Sequence, residues 1–110
     1  MKHHIKEKDG AVIIAFEGDI DMQSSPEARK VLLDCLKRKH PMLVNLAGVT
    51  YIDSSGVASL VEALQTARKT ACKFALVSVS EGARRVLKLA RLDKVFTIHE
   101  SVEDGIAKLK

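Results

Sequence analysis

The chain has 110 residues, of which 46% are apolar and 29% charged, with a net charge of +4 at pH 7. That length suffices for one compact core and not for two, and the balance excludes both a disordered chain and a membrane-embedded one. Eighteen Lys and Arg invite a nucleic-acid partner, but they are scattered through every predicted element. With one Tyr, three Phe and no Trp to stack on bases, direct nucleic-acid binding is not expected.

No apolar run approaches the roughly 18 residues needed to span a bilayer. The segment Met1-Lys2-His3-His4-Ile5-Lys6 carries no apolar stretch after its basic residues, so neither membrane insertion nor a leader is expected and a cytoplasmic location is. Cys35 and Cys72 stand far apart without a CxxC or a His-rich neighbour, which gives no basis for a disulfide framework or a zinc site. No cofactor is expected.

In chain order, His3 to Lys8 alternates weakly around Ile5 and leads through Asp9-Gly10, a hairpin signal, into Ala11 to Glu17, so the first two strands should pair antiparallel. The second strand is apolar on both faces, with Val12, Ile14 and Phe16 against Ala11, Ile13 and Ala15, which predicts an interior strand covered on both sides. His3 and His4 lack a third ligand nearby and read as polar edge residues. Gly18 to Ser24 reads as a loop, and Ser25-Pro26-Glu27 as a helix start with Ser25 as the cap. That helix should run to about Lys39 and bury Ala28, Val31, Leu32, Cys35 and Leu36.

Pro41 stops the helix, and Met42 to Leu46 is a short buried strand. The following Val49-Thr50-Tyr51-Ile52 is β-branched or aromatic. From Val57, apolar residues fall at i, i+3, i+4 and i+7 as Val57, Leu60, Val61 and Leu64, one helical stripe. This helix should run from about Ser55 to Ala71. Lys73 to Val79 is a buried strand, and Ser80 caps a third helix whose stripe is Ala83, Val86, Leu87 and Ala90. Val95 to His99 reads as the last strand, and Ser101 with Asp104 starts a short terminal helix weakened by Gly105.

After the hairpin the order is β-α-β-α-β-α-β-α. It predicts a single α/β domain over residues 1–110, with a mixed, mostly parallel sheet, an antiparallel first strand and about four helices. Sites in such sheets gather beyond the carboxyl ends of the strands, so Asp19, Asp21 and the Asp53-Ser54-Ser55-Gly56 loop should share one rim. The first turn of a helix offers unpaired N–H groups and the positive end of the macrodipole, which suits an anion. One polar residue is enough for a cap, and here one Asp, two Ser and a Gly are crowded together.

Intrinsic catalysis is not expected. Asp19 and Asp21 have no His or Glu at ligand spacing, Ser54 has no GxSxG elbow and no evident general base, and the six glycines never cluster as a phosphate cradle.

Tyr51-Ile52-Asp53-Ser54-Ser55-Gly56-Val57 resembles the phosphorylation-site motif of the STAS-domain anti-sigma factor antagonists: an aspartate, the phosphoacceptor serine, a second Ser or Thr, a glycine and an aliphatic residue. Phe16-Glu17-Gly18-Asp19-Ile20-Asp21, Leu43-Val44-Asn45-Leu46 and Arg91-Leu92-Asp93-Lys94-Val95-Phe96 fit the family in the same order, so the resemblance covers nearly the whole chain. It implies a partner-switching regulator of transcription. The unphosphorylated domain binds an anti-sigma factor serine kinase of the histidine-kinase-like ATPase fold and frees a sigma factor; phosphorylation releases the kinase, and a PP2C-type phosphatase resets the switch. Carried over by residue, Ser54 is the phosphoacceptor, Asp21 an acidic position beside it, and Ser55 and Gly56 the turn and helix start. Asp21 reads equally well as a loop-capping carboxylate.

The partner surface is expected to comprise Asp21, Asp53, Ser55, Gly56, Ala58, Ser59 and Glu62, extending to Gln65 and Thr66, with the small residues permitting close approach. An ordinary solvated helix face is the alternative. Arg84, Arg85, Lys88 and Arg91 read as a solvated face. A second role, as the accessory subunit of a lipid-transporting ABC system docked on its ATPase, fits the same resemblance, although the motif there tends to carry threonine in place of Ser54.

Overall fold

The computed structural model describes residues 1–109. Strands β1 (Lys2–Lys8), β2 (Ala11–Ile20), β3 (Met42–Ile52), β4 (Phe74–Val77) and β5 (Ile98–His99) alternate after the hairpin with helices α1 (Ser25–Leu36), α2 (Ser54–Lys69), α3 (Glu81–Leu89) and α4 (Val102–Leu109). The sheet runs in the order β1-β2-β3-β4-β5. β1 lies antiparallel to β2 and every other pair is parallel, as the element order predicts. Asp9 (φ 52) and Gly10 (φ 82) make the two-residue turn, whose paired positive φ values match the twist of the flanking strands.

The two apolar faces of β2 separate two cores. Val12, Ile14 and Phe16 join Leu32, Leu60, Leu76 and Leu87 beneath α1, α2 and α3. Ile13 joins Leu43, Ala75, Val77 and Ile106 beneath α4. Gly105 weakens α4 as an isolated helix, yet a Cβ there would stand 3.0 Å from Val77 and 3.1 Å from Leu43, so its absence lets α4 settle on the sheet. No helix among the described residues is long and apolar enough to cross a membrane.

Besides β4, which keeps only Phe74–Val77 of the expected Lys73 to Val79, four boundaries differ from the sequence reading. Gly18, Asp19 and Ile20 are not loop but strand, pairing with Val49, Tyr51 and Ile52 across two register irregularities; Gly18 at φ 91 absorbs the bend. β3 is one strand of eleven residues, not a short strand and a connector, because β2 stays beside it to the end. The cap of α1 is Ser24 rather than Ser25, and the helix ends at Leu36, with Lys39 turned to φ 60. The last strand keeps only Ile98 and His99: Val95 and Phe96 fold back on Leu92, whose carbonyl accepts both backbone N–H groups at 3.0 and 3.2 Å.

Helix α2 ends in the same left-handed manner. Ala71 has φ 57 while the Cys72 N–H donates to the Ala67 carbonyl at 2.8 Å, a closure that glycine makes without a Cβ penalty. Ala71→Gly should therefore stabilise the protein by about 0.5–1 kcal/mol, read as a higher urea midpoint at unchanged m-value. A lower midpoint would mean that the flexibility glycine gives the unfolded chain outweighs the relieved strain.

Candidate functional site: a serine at the mouth of a capped helix

β2 and β3 end together, and their last residues are tied: the Asp53 N–H donates to the Ile20 carbonyl at 3.1 Å. Asp53 leaves the helical conformation (φ −102, ψ −174) and caps α2. Its Oδ1 accepts from the Ser55 N–H at 2.9 Å, the Ser55 hydroxyl at 2.6 Å and the Gly56 N–H at 3.0 Å. These donors hold the Asp53 carboxyl below the usual carboxylate range, the Ser55 hydroxyl contributing most and the Gly56 N–H next.

Ser54 is the first residue of α2 and is exposed. Its hydroxyl makes no hydrogen bond among the described residues, because the neighbouring cap is already satisfied by Ser55 and Gly56. The two serines of the motif thus have different jobs: Ser55 is held against Asp53, and Ser54 points a free hydroxyl outward from a helix N-terminus.

Asp21 lies across the rim. Its Oδ1 accepts from the Gln23 N–H at 3.0 Å, the Ser24 N–H at 3.1 Å and the Ser24 hydroxyl at 3.1 Å, and the Ser24 backbone bond is the main reason its carboxyl also lies low. The like charge of Asp53 opposes that shift. Asp19 accepts the Thr50 hydroxyl at 2.7 Å. Asp19, Asp21 and Glu27 together line one shallow acidic hollow beside Met1.

Two expected surface residues are placed differently. Gly56 is buried, and a Cβ on it would stand 2.7 Å from the Ile20 carbonyl oxygen and 2.7 Å from Ile52 Cγ1; it lets α2 press onto the strand ends rather than admitting a partner. Ser59 is 6% exposed and donates to the Ser25 and Ser55 carbonyls at 3.3 and 3.2 Å, which ties α2 to α1. Glu62 stays at the surface as expected, its side chain 42% exposed and paired with Arg29 of α1 at 2.7 Å. Ala58 is also exposed, with Gln65 further along. Two exposed apolar residues beside the rim escaped the sequence reading: Met22, 76% exposed, and Tyr51, 51% exposed, both within three residues of a rim carboxylate.

Both carboxylates stabilise most when ionised. Because the folded Asp53 and Asp21 carboxyls sit below their ordinary values, their stabilisation is complete above the unfolded carboxylate pKa of about 4 and is lost as pH falls through the lower folded value. The melting temperature should drop below about pH 4, and Asp53→Asn should show a shallower drop. An acid limb identical in Asp53→Asn and wild type would show that the cap does not depend on its charge.

Fold and rim define a small α/β domain that displays a serine on a rigid, capped helix start. The chain matches the STAS domain family over residues 3–105 and belongs to it. It is 24% identical over 102 residues to the anti-sigma-B factor antagonist of Bacillus subtilis (strain 168), covering 93% of this chain and 94% of that one. An anti-sigma factor antagonist from Mycobacterium paratuberculosis superposes with a TM-score of 0.88 at 22% identity, over 97% of this chain and 92% of that one. SpoIIAA, an anti-sigma factor antagonist, superposes in its unphosphorylated form at 0.80 and 18% identity, over 98% and 96%. Its phosphorylated form, from Bacillus, superposes at 0.76 and 17% identity, over 99% and 100%.

Proposed function

We propose that this protein is an anti-sigma factor antagonist: in its unphosphorylated form it sequesters a serine-kinase anti-sigma factor, and phosphate on Ser54 ends that binding. The kinase would have the histidine-kinase-like ATPase fold, and a PP2C-type phosphatase would return the chain to its binding form. The single observation that carries the reading is the division of labour at the α2 start, where Asp53 and Ser55 satisfy each other and leave the Ser54 hydroxyl exposed and unengaged. An acceptor must reach a nucleotide held by another protein, and only such a hydroxyl can do so without dismantling a cap. The helix N-terminus then favours the transferred charge by up to about 2 kcal/mol, so the phosphorylated chain stays folded. Relatives named anti-sigma-B factor antagonist and a structural neighbour known with and without phosphate support the same reading.

The chain acts here as substrate and ligand, with the chemistry supplied by its partner. Incubated with its cognate kinase and ATP, wild type and Ser55→Ala should each gain one phosphate at Ser54, and Ser54→Ala none, as read by mass spectrometry of the tryptic peptide. Phosphate on Ser55 with none on Ser54 would overturn the assignment.

A further inference from the structure

The sheet is left unfinished on one side. β5 pairs with β4 only through Leu76↔Ile98 and Val77↔His99, because Val95 and Phe96 turn back onto Leu92. The Leu76 and Ser78 N–H groups point toward β5, donating to the Thr97 and His99 carbonyls at 2.8 and 3.1 Å. By the two-residue alternation of a strand, the Phe74 N–H points the same way, and no backbone hydrogen bond among the described residues joins Phe74 or Ala75 to that segment. Where β5 would have continued there is instead a groove of about 450 Å³.

The groove has a definite chemistry. Its apolar walls include Leu64, Phe74 and Val95, and its mouth carries Arg68 from α2, Lys73 ahead of β4 and Lys108 from α4, with no Asp or Glu among its lining residues. All three cations are exposed, and none forms an ion pair within 4 Å among the described residues, unlike Arg29 and Lys30. An open strand edge is ordinarily a liability, and lysines beside it keep identical copies apart by mutual repulsion. The same cations attract an acidic strand.

We propose that this open edge of β4 takes up an extended, acidic segment of a partner protein as an added strand, its backbone pairing with Phe74 and its carboxylates meeting Arg68, Lys73 and Lys108. Added strands gain affinity from main-chain hydrogen bonds and selectivity from side-chain complementarity. The site is separate from the Ser54 rim. Ser54 opens α2 and Arg68 lies in its last turn, about 21 Å away along the helix at 1.5 Å per residue, so both surfaces can be occupied at once, and failure of one assignment leaves the other standing.

The test uses the full chain, isotope-labelled, titrated with the capped pentapeptide acetyl-Glu-Val-Glu-Val-Glu-amide. Amide shifts should centre on Lys73 to Leu76, with Thr97 and Lys108 following. Hydrogen exchange at the Phe74 amide should slow, which charge attraction alone would not produce. Binding should weaken at least about tenfold in Lys73→Glu/Lys108→Glu and fall with added salt. The lysine counterpart of the peptide should not bind, and a version with proline at its centre should bind more weakly, since proline cannot donate to the edge. Equal binding of the proline peptide, or shifts spread over Arg84 to Arg91, would reduce the effect to general charge and overturn the proposal. So would decanoate binding in the groove where the peptide does not, which would make it an amphiphile site. Concentration-dependent dimerisation that protects Phe74 without peptide would assign the edge to a second copy and also overturn it.

Discussion

On the proposed function, phosphate on Ser54 is expected to weaken binding to the kinase about a thousandfold relative to the unmodified chain, a loss of about 4 kcal/mol. A phosphoserine brings about −1.5 to −2 charges at pH 7, and it brings them to a rim already lined by Asp19, Asp21 and Glu27 and capped by Asp53. An acceptor hydroxyl must also lie in line with the terminal phosphate of the kinase's nucleotide. On that reading, two anions would face each other in a desolvated interface after transfer, where like charges cost several kcal/mol. Ser54→Asp carries one charge and less bulk, so it should weaken binding by a smaller factor, about ten- to a hundredfold, while Ser54→Ala should bind like wild type. Titration of the four forms against the kinase, in the presence of its nucleotide, checks the order. Equal affinities for wild type and the phosphorylated chain would refute control by charge.

Gly56→Val should be the most damaging single substitution at the site, and it should act on stability before binding. The added Cβ alone would sit 2.7 Å from the Ile20 backbone oxygen, 2.7 Å from Ile52 Cγ1 and 2.8 Å from Ile20 Cγ2. Two of these neighbours are side-chain atoms of fully buried residues and the third is backbone, so none can swing away. Overpacking of this kind costs about 1–3 kcal/mol and occasionally more, and the two further methyls of valine place it at the upper end. At about 4 °C or more per kcal/mol for a domain of this size, the melting temperature should fall by about 12 °C. Gly56→Ala should fall less. A Gly56→Val protein that melts with wild type would show that α2 lifts off the strand ends at little cost, and with it the rigidity assigned to the Ser54 platform would go.

That glycine also marks where sequence reading stopped. The stripe Val57, Leu60, Val61 and Leu64 identified one buried face of α2, the one on the sheet. It did not reveal that Gly56 is buried on the strand ends, nor that α1 covers a second face, where Ser59 is buried and donates to the Ser25 carbonyl. Both small residues serve the packing of α2 on its own fold, Gly56 against strand and Ser59 against helix, where the sequence reading expects a partner. Covering the helix on two sides is a tertiary fact that periodicity on one helix cannot state.

The same holds at the strand ends. Gly18 to Ile20 has the composition of a loop and becomes strand only because Val49 to Ile52 lies alongside. Val95 and Phe96 have strand-like side chains, yet the backbone bonds to Leu92 draw them away. What was legible was local chemistry: Asp9-Gly10 as a turn, Ser80 and Ser101 as caps, and a crowded helix start after a strand. Which of the two motif serines is engaged was visible only once Asp53 Oδ1 had been found to take the Ser55 hydroxyl.

The Ser54 platform has a kinetic consequence. Its helix start is capped by Asp53, tied to β2 through the Ile20 carbonyl and wedged by Gly56 against Ile20 and Ile52, so Ser54 is presented in one arrangement before any partner arrives. On the proposed function no loop has to order and no segment has to melt between the two states of the switch. Its response time is then set by how fast kinase and phosphatase turn over and how fast the complex dissociates. Mutations that leave those three rates alone but shift the stability of the domain by a kcal/mol or so should leave the timing of the signal unchanged, so the sequence elsewhere in the chain is free to drift without retuning the circuit.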